Sequence, residues 1–267
     1  MKTKAYLKRY AQLLRIFYEN RVFRYLKKFI KRGNFKEGFN LGSYEDNVSF
    51  AQSLRRSLEE LGPTFVKFGQ MLSTRSDIFP KEIIDELSGL QDNVKGFSFD
   101  QIQAIIEGES KKKLGDIFSY IEEDPLAQGS IAQVHRARLR SGEEVCIKVQ
   151  RPHIKETIAL DIKVLEDMAK KLSKRLKTNS VVSLEDLVEE FRKQIVLETD
   201  FSLEAKALEK FSGYIRKDRY IKSPALYKDY VYEKFIVMAY VEGPSIGDLD
   251  QDYLDLHGQE IARRILH

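Results

Sequence analysis

"IEEDPLAQGSIAQVHRARLRSGEEVCIKVQRP", residues 121–152, is the stretch on which the fold turns. Apolar and polar residues alternate on both sides of Ser141-Gly142, and a period of two belongs to strands. Two alternating runs joined by a Ser-Gly pair predict a β-hairpin. In its second strand Val145, Ile147 and Val149 face one way, and Cys146, Lys148 and Gln150 face the other. Pro152 closes that strand. A loop of small residues, "LAQGS" at 126–130, precedes the first clear strand.

Downstream, the spacing of apolar residues predicts helices over 154–177 and 184–211. Ser183 with Asp186 makes a capping-box start for the second. "YEKFIVMAYVEGPSIGDL" then predicts a buried strand from Phe235 to Val241 that leaves through a Gly-Pro turn, and a last helix begins near Tyr253. Upstream, a helix starts near Ser98, where Gln101 completes a second capping box. A helical pair covers 47–75 and 80–91. Residues 33–46, "GNFKEGFNLGSYED", read as a linker. There is no internal repeat or low-complexity tract.

Residues 5–31 predict one helix, with Leu13, Phe17, Phe23, Leu26 and Ile30 at roughly helical spacing and Arg and Lys between them. Eleven Lys/Arg and one acid, Glu19, lie between Lys2 and Arg32. The chain's net charge is only +4, so its basic character is local. A basic amphipathic helix with aromatics can lie on an anionic membrane, its apolar face sunk into the headgroup layer. The competing reading is a helix docked on its own domain with a solvated basic face. Nucleic acid is not an expected partner, because no nucleic-acid module accompanies the charge.

Composition excludes several other classes. With 267 residues, 42% hydrophobic and 32% charged, the chain can bury a real core. One cysteine, Cys146, permits no internal disulfide and fits a reducing compartment. Four scattered histidines with no Cys pair argue against zinc. No apolar run is long enough to span a membrane, and the N-terminus has no secretory h-region.

From residue 121 onward the pieces follow the order of a protein-kinase N-lobe: a small-residue loop, a strand carrying an inward lysine, a long helix with an acid, and a strand running to a hinge. Loop N–H groups at Ala127, Gln128, Gly129 and Ser130 can cover phosphates. Lys148 can pair the α- and β-phosphates, with a helix glutamate holding it in place. Backbone groups at Ala239, Tyr240 and Val241 can meet an adenine edge. The loop is not the Gly-x-Gly-x-x-Gly of ordinary protein kinases, since it has a single glycine.

Five motifs in order give a more specific likeness: "KFGQ" at 67–70 with "LSTRSDIFP" after it, "PLAQGSIAQVHRA" at 125–137, "CIKVQRP" at 146–152, "LETDF" at 197–201 and "MAYVEGPSI" at 238–246. From about residue 47 to the end, the chain resembles the UbiB/ADCK (AarF/UbiB) family of atypical protein-kinase-like proteins. Where members usually carry alanines, Gln128 and Gly129 stand, and Ala132 stands where many have glycine.

The resemblance implies an α+β fold: a kinase-like N-lobe with a small antiparallel sheet plus helices, and a helical N-terminal extension. The expected organisation is a basic helix and linker over 1–46, the K-x-G-Q extension over 47–120, the N-lobe to the hinge over 121–243, and the start of a C-lobe, otherwise largely absent, over 244–267. In the family the K-x-G-Q helix overlies the place where a protein substrate would enter. Lys67 and Gln70 share a helix face. Gly69 is expected to let that helix approach another backbone, and Pro63 fits the first turn. Lys67, Gln70, Glu198 and Asp200 form the implied regulatory polar cluster. One of the two acids of "LETDF" is expected to pair with Lys148 and the other with Lys67, in either order.

ATP or ADP with Mg2+ is the implied cofactor, yet phosphoryl transfer also needs a base-like Asp, a metal-binding Asn and a DFG-type Asp. This chain has none in the required pattern, so it presents no catalytic residues and no metal ligands. Three readings follow: a piece of a longer enzyme, one half of a split gene whose partner chain supplies the C-lobe, or a truncated non-catalytic module that binds a membrane or a partner. The implied role is an atypical kinase or ATPase supporting isoprenoid quinone (ubiquinone-type) biosynthesis, cytoplasmic and peripheral at the inner membrane face.

Overall fold

The computed structural model describes residues 2–32, 39–90, 96–176, 183–244 and 248–266. In chain order these begin with five helices: α1 (Lys2–Glu19), α2 (Val22–Arg32), α3 (Tyr44–Leu61), α4 (Pro63–Leu72) and α5 (Lys81–Ser88). Then come α6 (Phe99–Ser110), α7 (Leu114–Ile117), β1 (Phe118–Ile121), β2 (Ala127–Gln128), β3 (Ala132–Leu139) and β4 (Glu144–Gln150). The rest is α8 (Ile154–Leu176), α9 (Leu184–Glu198), α10 (Phe201–Ile215), β5 (Leu226–Val231), β6 (Phe235–Ala239) and α11 (Gln251–Leu266). The expected α+β class is present. The chain folds into two compact units, one of residues 1–96, 128–132 and 151–199, the other of residues 97–127, 133–150 and 200–267.

The first unit is helical. Apolar stripes of α1, α3, α4, α5, α8 and α9 meet in one core, with Leu13, Leu58, Phe65, Ile83, Phe191 and Ile195 almost fully buried. The single helix expected over 5–31 is two helices. Arg21 takes a left-handed conformation, φ 62°, and turns the chain between α1 and α2; Asn20 donates to Glu60 Oε1 at the turn. The expected apolar face of this segment is inside the unit: Leu13 and Phe17 are buried, and Phe23, Leu26 and Ile30 pack against the same core. Leu13 and Phe17 are thereby enclosed by protein, while Phe23, Leu26 and Ile30 remain partly exposed.

α3 starts at Ser43, whose hydroxyl accepts the Asp46 N–H, so the helix begins inside the stretch read as a linker. Residues 33–38 of that stretch lie outside the described residues. Gly62, at φ 93°, ends α3, and Pro63 opens α4 at a position where its missing N–H costs nothing. The capping box of α9 forms as expected, with Ser183 and Asp186 exchanging bonds.

The second unit is built on an antiparallel sheet of order β1-β3-β4-β6-β5. The hairpin β3–β4 turns at Gly142, φ 104°. Val145, Ile147 and Val149 are fully buried, as the alternation predicts. They share a core with Phe235 and Val237 of β6 and with Ile102 and Ile106 of α6. α6, grouped in the sequence reading with the helices before it, therefore covers the sheet. Its capping bond from the Ser98 N–H to Gln101 Oε1 is present. β5, left unassigned by the sequence pattern, pairs with β6, Leu226 opposite Met238. The helix expected over 184–211 is two helices, broken at Thr199 between α9 and α10. The break falls inside "LETDF".

Candidate functional site

β4 carries Lys148 on the face opposite its core residues, because the side chains of a strand alternate. Its ammonium lies 2.7 Å from both carboxylate oxygens of Glu204 and 5.0 Å from the ring centre of Phe201. Both partners belong to the first turn of α10. Two features fix that turn: the buried Phe201 donates its N–H to the Glu233 carbonyl, and Asp200 caps the helix by accepting the Ser202 N–H. A carboxylate at a helix start is favoured by the helix dipole, and it is placed here to hold a cation. Lys148 therefore pairs with Glu204, which the sequence reading did not single out. Neither acid of "LETDF" takes that role. The helix break is the reason: it ends α9 at Glu198, makes Asp200 a cap, and presents Glu204 to the strand. The signal was legible as an acid four residues past an N-capping Asp.

The other lysine behaves as expected in part. In the first unit Lys67 Nζ lies 3.1 Å from Glu198 Oε2. The two groups, with Gln70 and Phe191, line a cavity of about 200 Å3. Gln70 donates to the Leu90 carbonyl. Gly69 is packed by side chains rather than by another backbone: a Cβ there would sit 2.4 Å from Leu90 Cδ1 and 2.6 Å from Leu58 Cδ1. The close approach expected at Gly69 is therefore made by two leucines in a filled core.

Gly129 and Ser130 of the small-residue loop are tied down within the first unit. Arg151, of "CIKVQRP", gives its N–H to the Ile131 carbonyl, and its guanidinium reaches the Ser130 and Gly129 carbonyls at 3.3 and 3.4 Å. Burial pulls the Arg151 pKa down. Ala127 and Gln128 are exposed and Gly129 half-buried, whereas Ser130 is buried.

At the other end of the sheet β6 runs out through Met238, opposite Cys146, and Ala239, opposite Val145. The Ala239 N–H donates to the Ala225 carbonyl and the Tyr240 N–H to the Glu144 carbonyl. Of the expected hinge donors, that leaves Val241, which is exposed and whose N–H has no acceptor among the described residues. Arg136 stacks on Tyr240 at 4.6 Å and bonds Glu144. Ser245 and Ile246 of the hinge motif lie outside the described residues. Cys146, two residues from Lys148 on the same face, is half-buried, and burial raises its pKa.

His135, fully buried on β3, bonds the Glu122 carbonyl through Nδ1, while its Nε2 has no partner among the described residues. Among the described residues no group of three or more His, Cys, Asp or Glu is placed to hold a metal ion.

A strand lysine held by the carboxylate of a following helix, beside a strand that leads into a hinge, defines the small lobe of a protein-kinase-like fold. The chain belongs to the ABC1 atypical kinase-like domain family, whose model matches residues 89–267. "Probable protein kinase UbiB" of Pseudomonas fluorescens strain Pf-5 is 38% identical over 203 residues, covering 76% of this chain and 38% of that protein. "Protein ACTIVITY OF BC1 COMPLEX KINASE 7, chloroplastic" of Arabidopsis thaliana is 36% identical over 239 residues, covering 89% of this chain and 33% of that protein. The chain thus spans about a third of the length of these relatives. A solved structure, the complex of Rv3197 with erythromycin from Mycobacterium tuberculosis, is 23% identical with a TM-score of 0.48, covering 67% of this chain and 45% of that one.

Proposed function

We propose that this chain is the nucleotide-binding small lobe and helical extension of a UbiB-type atypical kinase or ATPase. We further infer that the whole protein supports isoprenoid quinone biosynthesis at the inner face of a membrane. The observation that carries the nucleotide reading is the Lys148–Glu204 pair, with both carboxylate oxygens at 2.7 Å. An ammonium held this way stands ready for the α- and β-phosphates of ATP or ADP. The Val241 N–H at the strand exit is available to an adenine edge. Ala127, exposed and in the same unit as Lys148, is the loop position offered to the phosphates. Mg2+, the family's expected companion, finds no ligand set among the described residues, so the metal would be held by other parts of the protein or by the phosphates. The quinone role rests on the name of the UbiB relatives alone.

The test is titration of the chain with ADP and ATP. Lys148→Ala should abolish binding while leaving the fold intact, since the lysine is partly exposed. If this variant binds nucleotide as tightly as the parent, the reading fails. The second reading is a binding module that uses no nucleotide. It is favoured by exposed apolar side chains such as Tyr214, Tyr253 and Leu256 of the second unit, and unchanged partner or lipid binding in Lys148→Ala would support it.

A further inference from the structure

α1 presents two apolar faces, and only one is used by the first unit. Leu13, Ile16 and Phe17 are buried in the helical core. Leu7, Ala11, Leu14 and Tyr18, spaced four, three and four residues apart, fall on a separate stripe of the same helix. All four are exposed, Leu7 at 59% and Tyr18 at 77%. Next to this stripe, on one side, lie Lys4, Lys8 and Arg15, all exposed and none paired with a carboxylate among the described residues. Glu19, at the C-terminal end of α1, is the helix's only acid. Across the turn at Arg21, α2 adds Arg24, Lys27 and Lys31, also exposed.

From this arrangement we propose that the Leu7–Leu14–Tyr18 stripe is a docking face for an anionic lipid bilayer, with Lys4, Lys8 and Arg15 meeting the headgroups. The inference rests on the membrane-surface reading above and names the face that makes the contact. An apolar strip that enters the acyl boundary, bordered by cations at headgroup level, is the arrangement of a helix lying in the membrane plane. Charge selects the occupant: an unbalanced cluster of lysine and arginine is complementary to anionic lipid, and each such cation adds to surface attraction. A tyrosine at the edge of the strip suits the interface, with its ring in the apolar layer and its hydroxyl in water. No helix among the described residues is long and apolar enough to cross a membrane, so the contact is peripheral in this part of the chain.

The chain contains no tryptophan, which allows a single introduced indole to serve as a clean reporter. The 267-residue chain carrying Tyr18→Trp is mixed with phosphatidylcholine vesicles with and without phosphatidylglycerol, and emission and co-sedimentation are read together. The expected result is a blue shift and quenching by brominated lipid with the anionic vesicles alone. Leu7→Ser with Leu14→Ser should lower partition about tenfold or more. Lys4→Gln, Lys8→Gln and Arg15→Gln together should remove most of its salt dependence. All five positions are exposed, so circular dichroism should be unchanged. Failure of the parent chain to bind anionic vesicles overturns the membrane-surface reading itself. Binding that persists undiminished in the Leu7/Leu14 variant, with the indole emission unshifted, overturns the assignment of this face.

Discussion

Two lysine–glutamate pairs look alike in the sequence and differ in physics. Lys148 and Glu204 meet through both carboxylate oxygens beside the buried ring of Phe201. Lys67 and Glu198 make one contact at 3.1 Å, with side chains 30% and 38% exposed. A pair so open to water is worth roughly 0–1 kcal/mol. Glu198→Gln should therefore leave thermal stability nearly unchanged. Glu204→Gln should weaken ADP binding several-fold, because a misplaced lysine no longer meets the phosphates in one geometry. Calorimetric titration of both variants checks the contrast, and equal affinities would refute the assigned role of Glu204. Gly69 makes a different demand. A methyl group there overlaps Leu58 and Leu90, both nearly fully buried. Gly69→Ala should cost about 1–3 kcal/mol by overpacking, despite alanine's better helix propensity, as read by urea unfolding.

At the scale of elements, α1 is held to the first unit by more than its apolar face. Arg9 bonds the buried Asp161 of α8 at 2.6 Å and also donates to the Leu61 carbonyl at the end of α3. One side chain thereby ties α1 to α8 and to the residue just before the Gly62-Pro63 start of the K-x-G-Q helix. Removing only the cation strands a buried carboxylate, so Arg9→Met should cost about 3–5 kcal/mol. The double variant with Asp161→Leu should recover much of that loss in denaturant midpoint. The start of α9 makes a pH-dependent contribution. The Ser183 hydroxyl and backbone hold the Asp186 carboxyl below its ordinary value of 3.8. A depressed folded pKa stabilises the fold above the unfolded value and ceases to do so as pH falls through the folded one. Asp186→Asn should thus destabilise the chain at neutral pH, and the difference from the parent should vanish in unfolding curves taken below that range.

For the molecule as a whole, the two units carry separate parts of the family's apparatus. The helical unit holds the K-x-G-Q helix, the Lys67–Glu198 pair and the tethered loop, and the sheet unit holds Lys148, Glu204 and the hinge. No Asp–Asn catalytic loop or DFG-type Asp stands in the 267 residues, and this chain aligns with only 33–38% of the length of the relatives. Phosphate-release assays should accordingly show nucleotide bound by this chain but not turned over. Turnover by the 267-residue chain, lost in Lys148→Ala, would show that the chemistry resides in residues without a kinase pattern.

Local patterns alone determined a good deal here. The alternation around Ser141-Gly142 specified the hairpin and put Lys148 on the face opposite Val145, Ile147 and Val149, because a strand's period of two leaves no freedom once one face must be buried. Ser98, Ser183 and Pro63 marked helix starts, because caps act within a single turn. Five ordered motifs identified the family. Tertiary structure decided the rest. Which carboxylate meets Lys148 depends on the chain breaking at Thr199; helix periodicity runs through that point, and only Asp200, a residue type suited to an N-cap, marks it. β5 exists because β6 offers it an edge. α6 belongs to the sheet because Ile102 and Ile106 find their apolar partners there. Of the two apolar faces of α1, only packing chose which would be buried, since hydrophobic burial is non-directional and takes whatever complementary surface the fold brings near.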